Sequence, residues 1–129
     1  MSDKFTVEII TPDKSILEAE VNEVSIPSYE GQMGILKNHI PLITFLRPGL
    51  ITTQGQEEKK YYVEEGTVEF SDNNLLILTS TVRDLTDLNQ SSIEDLLNKA
   101  ESKLSEVNSS DKEKYLLSYK ISTLKEISQ

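Results

Sequence analysis

Cysteine and tryptophan are absent from the 129 residues, and histidine occurs once, at His39. Without cysteine the chain has no disulfides, no thiolate metal site and no thiol redox chemistry, a composition that fits a reducing compartment. With a single histidine, nothing completes a zinc site or a nucleophile–base pair. Glycine and proline are confined: all 5 glycines and all 4 prolines fall between Pro12 and Gly66. No G-x-S-x-G elbow, phosphate-binding glycine loop or H-E-x-x-H helix occurs. No apolar run approaches the roughly 20 residues that span a bilayer. The opening Met1-Ser2-Asp3-Lys4-Phe5 has neither an apolar signal core nor an arginine-rich presequence. The expectation is a chain that stays where it is made or is imported in mature form, without direct membrane insertion.

What is present is acidic. The formal charge is -9, and up to Asp87 there are 7 basic and 15 acidic residues, against 6 and 7 beyond it. A surface of this sign repels phosphate backbones and anionic lipid, which excludes nucleic acid as a natural partner and favours a partly basic protein.

The glycine- and proline-bearing part reads as β structure. Phe5, Val7 and Ile9 share one face by period two, and Thr11-Pro12-Asp13 then turns the chain. Similar runs recur at 21–26, 40–46, 50–53, 59–63, 67–71 and 75–79, separated by turn residues such as Arg47-Pro48-Gly49, Gln54-Gly55 and Asp72-Asn73-Asn74. Many short strands at this spacing predict an antiparallel β-sandwich or barrel. With no room for crossover helices, parallel pairing is not expected.

After Leu88 the period changes. Ile93, Leu96, Leu97, Ala100, Leu104 and Val107 recur at three- and four-residue steps along one helical face. Ser91 and Glu94 have capping-box spacing at its start, and Ser110 and Glu113 repeat that spacing before a second stripe through Leu117, Ile121 and Leu124. The interruption at Asn108-Ser109-Ser110 is short enough to return the second helix against the first. The expected organisation is therefore a β-sandwich over 1–87 followed by an antiparallel αα-hairpin over 88–129. Each apolar stripe is narrow, so the hairpin must dock onto something.

Carboxylates are plentiful but do not converge. Glu57-Glu58 and Glu64-Glu65 are adjacent on strands and point to opposite faces, so neither is an acid–base pair and no catalytic residue is assigned. Asp84, Asp87 and Asn89 echo a calcium loop but lack its central glycine and terminal glutamate, and no metal is expected.

Residues 27–42, Pro27-Ser28-Tyr29-Glu30-Gly31-Gln32-Met33-Gly34-Ile35-Leu36-Lys37-Asn38-His39-Ile40-Pro41-Leu42, resemble a signature of the epsilon subunits of F-type ATP synthases. That pattern runs roughly P-x-x-x-G-x-x-G-I/V-L-x-x-H-x-P, and Pro27, Gly31, Gly34, His39 and Pro41 match it in type and spacing. Phe5-Thr6-Val7-Glu8-Ile9-Ile10-Thr11-Pro12 resembles the family's first strand, and Leu46-Arg47-Pro48-Gly49 its proline–glycine turn. The likeness covers most of residues 5–88, and the hairpin matches in layout.

The resemblance implies a sandwich of about ten strands in the central stalk, touching the gamma subunit and the proton-driven c-ring. It implies a non-catalytic rotor subunit, peripheral at the cytoplasmic face of a bacterial inner membrane. By the same resemblance Glu30, Gly31, Gln32 and Met33 would face polar loops of the c-ring. Gly31 and Gly34 would supply turn conformations closed to other residues, and Met33 an adaptable apolar contact. His39 would lie near gamma, or would simply hydrogen-bond a neighbouring carbonyl.

One departure stands out. Several bacterial members of the family bind ATP at the hairpin base through a motif resembling Ile/Leu-Asp-x-x-Arg-Ala, and the matching positions here hold Leu88, Asn89, Ser92 and Ile93. Without the arginine the strongest phosphate partner is missing, so no cofactor is expected. Lys112, Lys114, Lys120 and Lys125 would let an extended second helix meet acidic surfaces of the alpha/beta head, although with Asp111, Glu113 and Glu126 they also read as a solvated face. The competing functional class is a free-standing β-sandwich recognition module for a protein or carbohydrate. Against the sugar, tryptophan is absent and Tyr61 and Tyr62 point to opposite faces.

Overall fold

A computed structural model describes residues 3–106 and 110–128. Ten strands come first: β1 (Phe5–Ile10), β2 (Ser15–Val21), β3 (Glu23–Ser28), β4 (Gly31–Leu36), β5 (Leu42–Leu46), β6 (Gly49–Gln54), β7 (Glu58–Val63), β8 (Gly66–Ser71), β9 (Asn74–Leu78) and β10 (Arg83–Asp84). A single 3-10 turn at Leu85–Asp87 leads into α1 (Gln90–Leu104) and α2 (Asp111–Ile127). The expected link at Asn108 and Ser109, and Val107 of the first stripe, lie outside the described residues.

The strands hydrogen-bond in the order β10-β7-β6-β3-β5-β8-β9-β1-β2, with β4 paired to β3. All pairs are antiparallel except β1 with β9, which run parallel with Val7 opposite Leu75 and Ile9 opposite Ile77. That pair corrects the expectation of no parallel pairing. No crossover helix is needed, because seven intervening strands carry the chain around the core and back to the first strand's side.

Alternation places Phe5, Val7, Ile9, Val24, Ile26, Ile51, Tyr61, Val68, Phe70, Leu75 and Ile77 inside, all nearly inaccessible, in one continuous apolar core. Phe5 and Phe70 meet edge to face with centroids 5.7 Å apart. A core of this size, closed by strands on both sides, makes the β unit stiff, since close-packed interiors resist deformation.

The second half of β7, Tyr61 to Val63, is buried on both faces. Tyr61 turns into the sandwich, and Tyr62, fully buried on the opposite side, joins Ile93 and Leu124 in a second, smaller cluster flanked by Leu50, Leu85, Leu88, Leu96, Leu97 and Ile127. This cluster docks the hairpin, with α2 lying against β6. The start of α1 differs from the sequence expectation: Asn89, not Ser91, is the N-cap, its Oδ1 accepting from the Ser92 amide at 2.8 Å. Asn89 precedes the helix in extended conformation, whereas Ser91 is already inside it. For α2 the expected cap holds, with Ser110 Oγ accepting from the Glu113 amide at 3.1 Å.

Candidate partner-binding surface

The signature residues cluster around the β3–β4 hairpin and the loop after it. Ser28 organises the hairpin tip: its hydroxyl donates to the Gly31 carbonyl at 2.7 Å and accepts from the Glu30 amide at 3.2 Å. Gly31 has φ +128°, a conformation open to glycine, and no atom lies within 4 Å of where a Cβ would stand. Glycine serves the backbone here and not the space around it. Glu30 is exposed at the tip.

Gly34 serves otherwise. It lies within β4, opposite Ser25 and not in a turn, and a Cβ there would come 3.3 Å from the end of the flexible, exposed Glu23 side chain, which can give way. Gln32 and Met33 diverge by strand alternation. Gln32 Nε2 donates to Ser25 Oγ at 2.7 Å, whereas Met33 is half-buried against the sandwich core and is not presented outward. Glu30 and Gly31 stand at the turn, and Gln32, also exposed, follows at the start of β4.

His39 follows Asn38, a residue at φ 67°. Its ring stands edge-on to Phe70, centroids 5.8 Å apart, and Nδ1 lies 2.7 Å from the Ile40 carbonyl oxygen. The local carbonyl bond is thus made, and the half-buried ring precedes an exposed apolar surface in the chain.

That surface escaped the sequence reading. Ile40 is 74% exposed, Ile43 77% and Phe45 57%, and Leu36 and Leu78 are exposed as well. On β5 the even positions Leu42, Thr44 and Leu46 turn inward, so Ile43 and Phe45 stand on the outer face across from Glu69 and Thr67 of β8. In Ile43-Thr44-Phe45 the apolar residues face outward and the polar one is buried, the reverse of a solvated edge, and only the fold shows which side is which. The patch runs into the hairpin tip, because the Tyr29 amide donates to the Phe45 carbonyl at 3.1 Å.

The remaining candidates are absorbed by structure. Asp84 Oδ1 accepts from the amide and hydroxyl of Thr86, capping the 3-10 turn. Among the described residues no group of acidic or histidine side chains is placed to hold a metal. Glu64 accepts from the Tyr62 hydroxyl at 2.9 Å and pairs with Lys120 at 2.9 Å, while Glu65 accepts from the Ser80 amide at 3.0 Å. Glu57 and Glu58 pair with Lys59 and Lys60 at the surface. At the expected nucleotide positions Asn89 is a helix cap, Ser92 donates its amide to that cap, and Ile93 fills the docking cluster. Burial, reinforced by the Glu64 carboxylate, pushes the Tyr62 hydroxyl well above the usual tyrosine range, so it stays a donor.

The family model for the β-sandwich domain of the ATP synthase delta/epsilon chain matches residues 4–84. The ATP synthase epsilon chain of Pelagibacter ubique (strain HTCC1062) is 46% identical over 127 residues, spanning 97% of this chain and 98% of the relative. The epsilon chain of Bradyrhizobium sp. (strain ORS 278) is 34% identical over 103 residues, 79% of this chain and 76% of the relative. In fold the chain is similar to a subunit in the mitochondrial ATP synthase assembly of Euglena gracilis, with TM-score 0.83 at 18% identity, covering 100% of this chain and 84% of that one. A central stalk and c-ring structure from Tetrahymena thermophila matches with TM-score 0.65 at 14% identity, covering 96% of each chain.

Proposed function

Because the chain belongs to the ATP synthase delta/epsilon family, as an epsilon chain, we propose that it is a non-catalytic subunit of the central stalk, carrying c-ring rotation through gamma to the catalytic head. Membership sets aside the free-standing recognition module and the enzyme alike. One observation carries the placement: an apolar outer face on β5 that is continuous with a polar, acidic hairpin tip. Two chemically distinct contacts side by side suit a subunit wedged between two partners.

Ile40, Ile43 and Phe45, with His39 next to Ile40 in the chain, pack against gamma. Burying a patch of this kind is the main source of association energy, at about 25 cal/mol per Å² of apolar surface removed from water before the costs of association. Glu30 at the tip faces basic side chains of the c-ring loops. The sandwich, 1–87, is the torque-bearing unit, and the hairpin, 88–129, is a docked appendage whose release would bring Lys112, Lys114, Lys125 and, freed from Glu64, Lys120 towards the alpha/beta head. The subunit sits peripherally at the cytoplasmic face of the bacterial inner membrane, and among the described residues no helix is long and apolar enough to cross a membrane.

The test is binding to purified gamma. Ile43→Thr and Phe45→Thr should each weaken the affinity several-fold while leaving the urea midpoint of the isolated chain in place, since both side chains are exposed and threonine keeps the strand propensity. Wild-type affinity in both variants would overturn the assignment.

A further inference from the structure

The apolar hold of the hairpin on the sandwich is confined to one end of α2. Leu124 and Ile127 gather with Ile93, Leu96 and Leu97 of α1 around Tyr62, whereas Tyr115 lies in an earlier part of the helix, about 13 Å away along its axis. There the contact with the sandwich is made by Arg47. Its guanidinium carbon stands 3.8 Å from the centroid of the Tyr119 ring, and its Nη1 donates to the Tyr115 hydroxyl at 3.1 Å. The Tyr115 hydroxyl in turn donates to the Tyr29 carbonyl at 3.3 Å. One arginine thus grips two successive turns on the same face of α2.

The base of this grip is rigid. The Arg47 amide donates to the Pro27 carbonyl at 2.9 Å, and buried Pro48 and Gly49 follow. A Cβ at Gly49 would stand 2.5 Å from Pro27 Cβ, so the turn between β5 and β6 is packed directly on the end of β3. Arg47 and Tyr119 are both half-buried, which strengthens the attraction of the cation for the ring face, and the flat guanidinium stacks there as an ammonium group does not. Lys120 adds a second polar hold, pairing at 2.9 Å with the Glu64 carboxylate that also accepts from the Tyr62 hydroxyl.

We propose that Arg47 is a clasp that sets how often the hairpin leaves the sandwich. When it lets go of Tyr119 and Tyr115, only the Tyr62 cluster and the Lys120–Glu64 pair keep α2 down, and the hairpin opens while the sandwich stays folded. The docked state is selected by side chains of the β5–β6 turn and α2, none of them at the helix start around Asn89. The consequence for the complex rests on the proposed reach of the released hairpin to the alpha/beta head: a weaker clasp frees the lysines of α2 for more of the time.

The test begins with amide hydrogen exchange in the isolated full chain. Arg47→Ala should speed exchange of the α2 amides about tenfold, while β1 and β9 keep wild-type protection. Arg47→Lys, which keeps the charge but not the stacked plane, should exchange within about threefold of Arg47→Ala. Tyr119→Leu should speed α2 exchange as well, and combined with Arg47→Ala it should fall short of the product of the two single effects, because the two side chains act together. Unchanged α2 exchange in Arg47→Ala would overturn the clasp. So would faster exchange spread over β1 and β9, which would make Arg47 a residue of the sandwich fold. ATP hydrolysis by the assembled synthase then separates the two readings, and Arg47→Ala should lower it. If α2 exchange rises while hydrolysis stays at the wild-type rate, the clasp stands and the reach of the hairpin to the head falls.

Discussion

Asn38 and Asn73 are bonded to each other twice: the Asn38 amide donates to Asn73 Oδ1 at 2.7 Å, and Asn73 Nδ2 donates to Asn38 Oδ1 at 3.1 Å. Both stand in the left-handed region, at φ 67° and 60°, which asparagine tolerates better than most residues. The pair ties the loop carrying His39 and Ile40 to the β8–β9 turn. Asn73 also accepts from the Thr6 amide through its carbonyl at 3.1 Å, so the loop is anchored to β1.

Asn38→Ala removes the side-chain half of this bond and places alanine in an unfavourable conformation. The expected loss is about 1–2 kcal/mol, read as a lower urea midpoint. Asn38→Gly, relieved of the conformational cost, should recover part of it, and equal losses in the two variants would contradict this account.

Tyr62 links stability to alkaline pH. Its folded-state pKa is raised, by burial first and then by the neighbouring Glu64 carboxylate. Stability from this group is therefore complete below the unfolded value near 10 and is lost as pH rises above it, by about 1.4 kcal/mol per pH unit. Tyr61, raised mainly by burial, acts in the same direction. Urea unfolding between pH 9 and 11 should show this slope, and Tyr62→Phe should flatten it. An unchanged slope would exclude Tyr62 as its source.

Leu124 is fully buried, but in the small docking cluster and not in the sandwich core. Leu124→Ala should cost about 2–4 kcal/mol, felt chiefly as faster amide exchange in α1 and α2 with β1 and β9 still protected. Ile77→Ala, in the large core, should lower protection throughout. Uniform loss in the first variant would show that hairpin and sandwich unfold as one unit.

At the start of α1, Asn89→Ala should lower stability by about 1 kcal/mol, because the Ser92 amide loses its acceptor. Ser91→Ala should be nearly neutral. Thermal unfolding of the two variants separates them, and the opposite ranking would restore the capping box at Ser91.

Most of the fold was legible wherever one side of an element is wet. β1, β6, β7, β8 and β9 alternate cleanly or sit between obvious turns, and the stripes of both helices have the right period. β2 was missed because Leu17-Glu18-Ala19-Glu20 carries little strand propensity, and it is extended because β1 pairs along its length. β4 was missed because it holds Gly31 and Gly34, yet every one of its residues is paired with β3. The hairpin tip was legible from glycine spacing, but the apolar face of β5 was not, since a strand apolar on both sides looks like ordinary core until the fold shows that one side is uncovered.

The sequence by itself determined the two-part plan, the acidic sandwich, the absence of any converging catalytic set and the family. These depend on local period, composition and residue type, which need no knowledge of distant neighbours. Tertiary structure alone decided which apolar residues face outward, that Asn89, Ser92 and Ile93 serve a helix start, and that Tyr115 of α2 reaches Tyr29 at the hairpin tip. The physical reason is distance along the chain. Tyr29 and Tyr115 are separated by 86 positions, and only docking through the Tyr62, Ile93 and Leu124 cluster brings them within reach.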